Sequence, residues 1–81
     1  MKIQIRKSAI KDLQKIAQTE KKRIHVAIQK FIDFPNIANC KKLTNFEPAY
    51  RVRVGNYRIL FDVIEDTIVI GRVLHRKNSY K

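Results

Sequence analysis

Cysteine is all but missing: Cys40 stands alone among 81 residues. That excludes a disulfide-stapled scaffold and points to a reducing compartment, so the expected location is cytoplasmic. No apolar run approaches the ~20 residues a membrane helix needs, and the opening Met1-Lys2-Ile3-Gln4-Ile5-Arg6 carries no signal-peptide core. No membrane role is expected. The chain has no Gly-rich phosphate loop and no Asp/Glu cluster, which removes the signatures of nucleotide and Mg²⁺ sites. Cys40 has no metal-ligand spacing around it, so neither metal nor cofactor is expected. The scarcest property is negative charge.

Seven Asp and Glu face eighteen Lys and Arg, a formal charge of +11. Residues 1–40 carry nine basic and three acidic side chains, residues 41–81 nine and four, so the excess is no tail on a neutral body. Such a surface repels itself and attracts polyanions, nucleic acid or an acidic protein. The plainer explanation, charge kept for solubility, rarely needs so large an imbalance.

Residues 1–81 read as one small α+β domain with a thin core. Ile3 and Ile5 alternate with Gln4 and Arg6, the pattern of a strand. Ser8 is placed to cap a helix carrying Ile10, Leu13, Ile16 and Ala17 at helical spacing. Thr19 is placed to cap a second one, with Ile24, Ala27, Ile28 and Phe31 on its apolar stripe and His25 among its core-facing positions. Pro35 should end it. A helical hairpin follows, then a polar loop over residues 36–48. From Tyr50 the period changes to two, giving a three-stranded antiparallel meander with turns at Gly55-Asn56 and Glu65-Asp66 and a last strand over Thr67–Leu74. The helices should cover one face of this sheet.

A two-residue turn fixes register: Val54 opposite Tyr57, Arg53 opposite Arg58, Val52 opposite Ile59, Arg51 opposite Leu60. Tyr50, Val52, Val54, Tyr57, Ile59 and Phe61 then face the helices, while Arg51, Arg53 and Arg58 share the other face. Two arginines directly opposed repel by a few tenths of a kcal/mol or more, so removing one should cost no stability. The opposition makes sense when an anion fills the gap, since guanidinium forks suit phosphate. A solvated outer face that deters aggregation is the plainer alternative. Continuing the last strand by the same two-residue logic puts His75 on the arginine face. Arg76, Lys77 and Tyr80 follow at that end, cations for phosphate and a ring for an unstacked base.

The segment from Leu43 to Lys81, with Tyr50-Arg51-Val52-Arg53-Val54-Gly55-Asn56-Tyr57-Arg58 and the ending His75-Arg76 to Tyr80, resembles the RelE/ParE superfamily of toxins from type II toxin–antitoxin pairs. Ser8–Ile16 and Phe34–Leu43 fit the same pattern. The resemblance is nearest to RelE-type mRNA interferases. It implies a ribosome-dependent, metal-independent endoribonuclease that cuts mRNA in the decoding site. The 2′-hydroxyl attacks the adjacent phosphate and leaves a 2′,3′-cyclic phosphate. It also implies an acidic cognate antitoxin as partner. By position, Arg51 and Arg53 match the basic pair that includes a general base, Arg58 the arginine that stabilises the transition state, Arg76 the general acid, and Tyr80 the tyrosine that stacks on the substrate base. Arginine stands where members usually have lysine, and arginine is a poor proton acceptor. His75, as a residue type, suits proton transfer better, and Glu47 is a further possible base. A ParE-like inhibitor of DNA gyrase without nuclease chemistry and a plain RNA-binding module are the alternatives.

Overall fold

The computed structural model describes residues 1–43 and 49–78. Strand β1 (Lys2–Ile5) leads into helix α1 (Lys7–Gln14), then helix α2 (Gln18–Gln29), which tightens into a 3₁₀ turn over Lys30–Asp33. Strands β2 (Cys40–Lys42), β3 (Tyr50–Val54), β4 (Tyr57–Ile64) and β5 (Thr67–His75) follow, and a 3₁₀ turn over Arg76–Asn78 comes last. One five-stranded sheet results, in the order β1-β5-β4-β3-β2. β1 runs parallel to β5 and every other pair is antiparallel. The α+β class, the meander and the one-sided helical cover are as the sequence predicts. The short strand β2 lies inside what reads as a polar loop.

The core forms where the helical stripe meets the inner sheet face. Ala9, Ile16, Ile24, Ile28 and Phe31 from the helical half pack on Val52, Ile59, Phe61, Ile68, Ile70 and Val73. Phe61 holds an aromatic cluster together: its ring stacks on Tyr50 at 5.4 Å, and Phe31 and Phe34 lie 4.9 and 6.2 Å away. Phe34 leaves the 3₁₀ turn in extended geometry (φ −50°, ψ 135°), as a residue before proline should. α1 is rotated from its predicted face. Ala9 is buried and Ile10 is 44% exposed, because Ala9, Leu13 and Ile16 are the set spaced by four and three residues from the helix start. His25 is exposed too, beside Gln29, instead of facing the core.

Neither predicted cap forms. The chain enters α1 through Arg6 and α2 through Ala17, without side-chain caps. Ser8 and Asp12 serve the sheet instead. β1 stops at Ile5, which leaves the second half of β5 exposed as an edge, and α1 runs beside it. Arg6 N–H donates to the Ile70 carbonyl at 2.9 Å and Ser8 Oγ–H to the Gly71 carbonyl at 2.6 Å. Asp12 Oδ2 accepts the Val73 N–H at 2.9 Å. Its carboxylate also takes Arg72 in a fork, Nε to Oδ2 at 2.8 Å and Nη2 to Oδ1 at 3.1 Å. Side chains thus continue the hydrogen bonding that β1 abandons, as an exposed edge requires. Burial pushes the Asp12 carboxyl up, but the Arg72 fork, the Val73 N–H and the charges of Arg72 and Lys15 outweigh it and hold it below 3.8.

At the same place β5 bulges. Phe61 pairs with Ile70 and Leu60 with Arg72, leaving Gly71 extra. An added residue in a structure of period two turns every later side chain to the other face.

Candidate nucleic-acid interface

The β3–β4 hairpin is built as its turn dictates. Gly55 takes φ +58° in the tight turn, where a β-carbon would be strained and would sit 3.4 Å from Glu20 Oε2 on α2. Register is Val54–Tyr57, Arg53–Arg58, Val52–Ile59, Arg51–Leu60 and Tyr50–Phe61. Arg51, Arg53 and Arg58 therefore share the outer face, away from the helices. They are not equally placed: Arg53 is exposed and Arg51 half-buried, but Arg58, on the central strand between β3 and β5, is only 3% exposed. That corrects one expectation. The stem of a buried arginine packs against its neighbours, so truncating it leaves a hole and costs stability.

His75 is the second correction. The bulge at Gly71 pairs it with Tyr57 and puts Leu74 opposite Arg58. His75 therefore lies on the helix side, edge-on to the Tyr57 ring at 5.2 Å, and its Nδ1 faces the Lys77 N–H at 3.2 Å. Nothing in the sequence marks this shift except a glycine inside a strand. The strand end still lies near the arginine pair. Arg76 N–H donates to the Asn56 carbonyl at 2.7 Å, tying the chain to the hairpin turn. The Arg53–Arg58 pair sits one step inside that turn. Asn56, His75, Arg76 and Lys77 line an open cleft there, with Arg76 and Lys77 exposed. Tyr80 and Glu47 lie outside the described residues.

The face also holds a cation that reading the sequence missed. Asn39, in the left-handed region at φ 60°, turns the chain into β2, and Asn is one of the few side chains at ease there. β2 then pairs Cys40 with Val52, Lys41 with Arg51 and Lys42 with Tyr50, which sets Lys41 beside the arginines and Lys42 on the opposite face. Three residues as polar as Cys-Lys-Lys carry no strand signal of their own. Among the described residues, no three His, Cys, Asp or Glu side chains gather as a metal centre would need, and no helix is long and apolar enough to cross a membrane.

The sheet thus carries the helices on one face and gathers Arg51, Arg53, Arg58 and Lys41 on the other. The chain belongs to the RelE/ParE family of type II toxin–antitoxin toxins: the family model described as the ParE toxin of the type II toxin–antitoxin system parDE matches residues 3–80. Among curated relatives it is 38% identical to Toxin RelE3 of Methanocaldococcus jannaschii, over 99% of this chain and 96% of that one. Its structure is similar to the toxin in a RelB–RelE antitoxin–toxin complex from Methanococcus jannaschii, with TM-score 0.80 and 36% identity over 95% of this chain and 94% of that one. It also superposes on the isolated E. coli RelE toxin with TM-score 0.76, at 18% identity over 91% and 82% of the two chains; that likeness speaks to the fold alone.

Proposed function

We propose that the protein is a ribosome-dependent endoribonuclease that cuts mRNA in the decoding site, in the cytoplasm, and is held in check by an acidic antitoxin. The observation that carries this reading is the outer sheet face, where register sets Arg53 against Arg58 with Arg51 alongside. A pentavalent phosphate carries more negative charge than the diester it forms from, and fixed guanidinium groups stabilise that added charge. The ribose 2′-hydroxyl passes its proton to a general base, the role the family pattern gives to the Arg51–Arg53 pair, as its oxygen attacks the neighbouring phosphorus; the bond to the 5′-oxygen breaks, and a 2′,3′-cyclic phosphate remains.

In this scheme Arg53 and Arg58 grip the scissile phosphate and Arg51 the strand beside it. Arg76 protonates the leaving oxygen with Lys77 adding positive charge nearby, and Tyr80 stacks on a base. His75 stands apart from the arginine face, on the helix side beside Tyr57. The antitoxin follows from the charge of +11 and from relatives solved as RelB–RelE complexes. A disordered acidic chain can cover such a surface.

A second reading has its own support, since the matching family model is described as a ParE toxin. A gyrase inhibitor could use the same hairpin as a protein-binding surface. Primer extension on mRNA from translating cells after induction separates the two. Cuts at preferred positions within codons support the nuclease; intact messages with broken or relaxed DNA support the gyrase inhibitor.

A further inference from the structure

Register places Lys41 directly opposite Arg51 on the outer face, one strand farther from the centre than the arginine pair. Strands lie ~4.8 Å apart and rise ~3.3 Å per residue. The midpoint of Lys41 and Arg51 is therefore roughly 8 Å from that of Arg53 and Arg58. That separation leaves room for two phosphates. A cavity of ≈ 340 Å³ opens at the first of these positions, walled by Asn39, Cys40, Lys41, Arg51 and Arg53. Three of its five lining side chains are cationic, and Arg53 is common to it and to the scissile-phosphate pair. The Arg53 N–H points back to the Asn39 carbonyl at 3.4 Å, so the loop that shapes the cavity is fastened to the strand that carries the arginines.

We infer that this cavity is a second phosphate subsite, in which Lys41 and Arg51 hold the phosphodiester flanking the one that is cut. The assignment rests on the RNA-cleaving reading and extends it: the single strand is gripped across β2, β3 and β4 and not at one phosphate alone. Lys41 acts here as a point charge, so another cation can replace it. Lys42 supplies an internal control, because it is the next residue, carries the same charge and faces the other way, opposite Tyr50.

The test uses a short fluorescein-labelled single-stranded RNA, blocked against cleavage by 2′-O-methyl groups, with affinity measured by anisotropy across a salt series. Each phosphate contact on a single strand contributes about 0.7 to the slope of log K against log salt. Lys41→Gln should flatten the slope by about that amount and weaken binding about fivefold at 0.1 M salt. Lys41→Arg should restore both values, and Lys42→Gln should leave both near wild type. Equal losses from Lys41→Gln and Lys42→Gln would reduce the effect to net charge and overturn the subsite. So would a Lys41→Gln variant that binds as wild type does. A wild-type chain with no salt-dependent affinity for this RNA would overturn the subsite, whereas a wild-type chain that leaves mRNA uncut on programmed ribosomes would overturn the RNA-cleaving reading itself.

Discussion

The two halves of the sheet treat charge in opposite ways. Where α1 lies along β5, Asp12 meets Arg72 in a fork and takes the Val73 N–H as well. Across β2, β3 and β4, cation stands next to cation: Lys41 by Arg51, Arg53 by Arg58. The first arrangement closes an edge and stabilises the fold. The second gathers guanidinium groups and a lysine where an anion can meet them. Substitutions in the two halves should therefore fail differently, one in stability and the other in activity.

The largest effect belongs to Arg58. Losing a donor to transition-state charge typically lowers rate by about 10²–10³, and Arg58→Ala should show that loss on programmed ribosomes. Because the residue is buried, the variant should also melt at a lower temperature. Arg58→Lys keeps the charge and most of the stem, so it should recover stability ahead of activity, since lysine lacks the planar fork. Full activity in a folded Arg58→Ala chain would remove the arginine from the site.

Tyr80 should come next. If its ring stacks on a base, Tyr80→Ala should lose roughly ten- to a hundredfold, corresponding to about 1–3 kcal/mol. Tyr80→Phe should then keep most activity, because stacking needs the ring and not the hydroxyl. Equal damage from both variants would point to the hydroxyl instead.

In the other half, Asp12→Ala should leave the specific activity of folded protein near wild type and lower stability by about 1–3 kcal/mol, because the Val73 N–H loses its acceptor. The pH dependence has a definite sign. Asp12 is held below its ordinary 3.8 in the folded chain, so the unfolded chain binds the proton more readily. The stabilisation is complete above that ordinary value and fades as pH falls through the folded one. Urea melts of wild type and Asp12→Asn should converge on acidification; a gap that stays constant would deny the carboxylate this role.

The hairpin from Tyr50 to Phe61 was legible because a two-residue turn leaves one register open, and alternating side chains report which face is which. The same logic failed one strand later. Gly71 adds a residue to β5, a bulge has no period of its own to read, and His75 turned from the arginine face to Tyr57 as a result. β2 has no sequence signal, because Cys40-Lys41-Lys42 joins the sheet through backbone pairing to β3 and not through any apolar pattern. Ser8 looked like a helix cap because serine commonly is one; the exposed edge of β5 competed for its hydroxyl and won it. The arginine triad could be read from spacing. The depth of Arg58 could not, since burial on a central strand depends on both neighbours.

Cleavage of mRNA on programmed ribosomes by wild type, Arg53→Ala and Arg72→Ala tests the account most directly. Each variant removes one exposed arginine from a strand of the same sheet, one from the cluster around Arg51, Arg53 and Arg58 and one from the Asp12 fork. Compared per folded molecule, Arg72→Ala should cut mRNA at close to the wild-type rate, while Arg53→Ala should lose activity with its melting temperature little changed. Equal rates for the two variants, or loss confined to Arg72→Ala, would contradict the assignment of catalysis to the Arg51, Arg53 and Arg58 cluster.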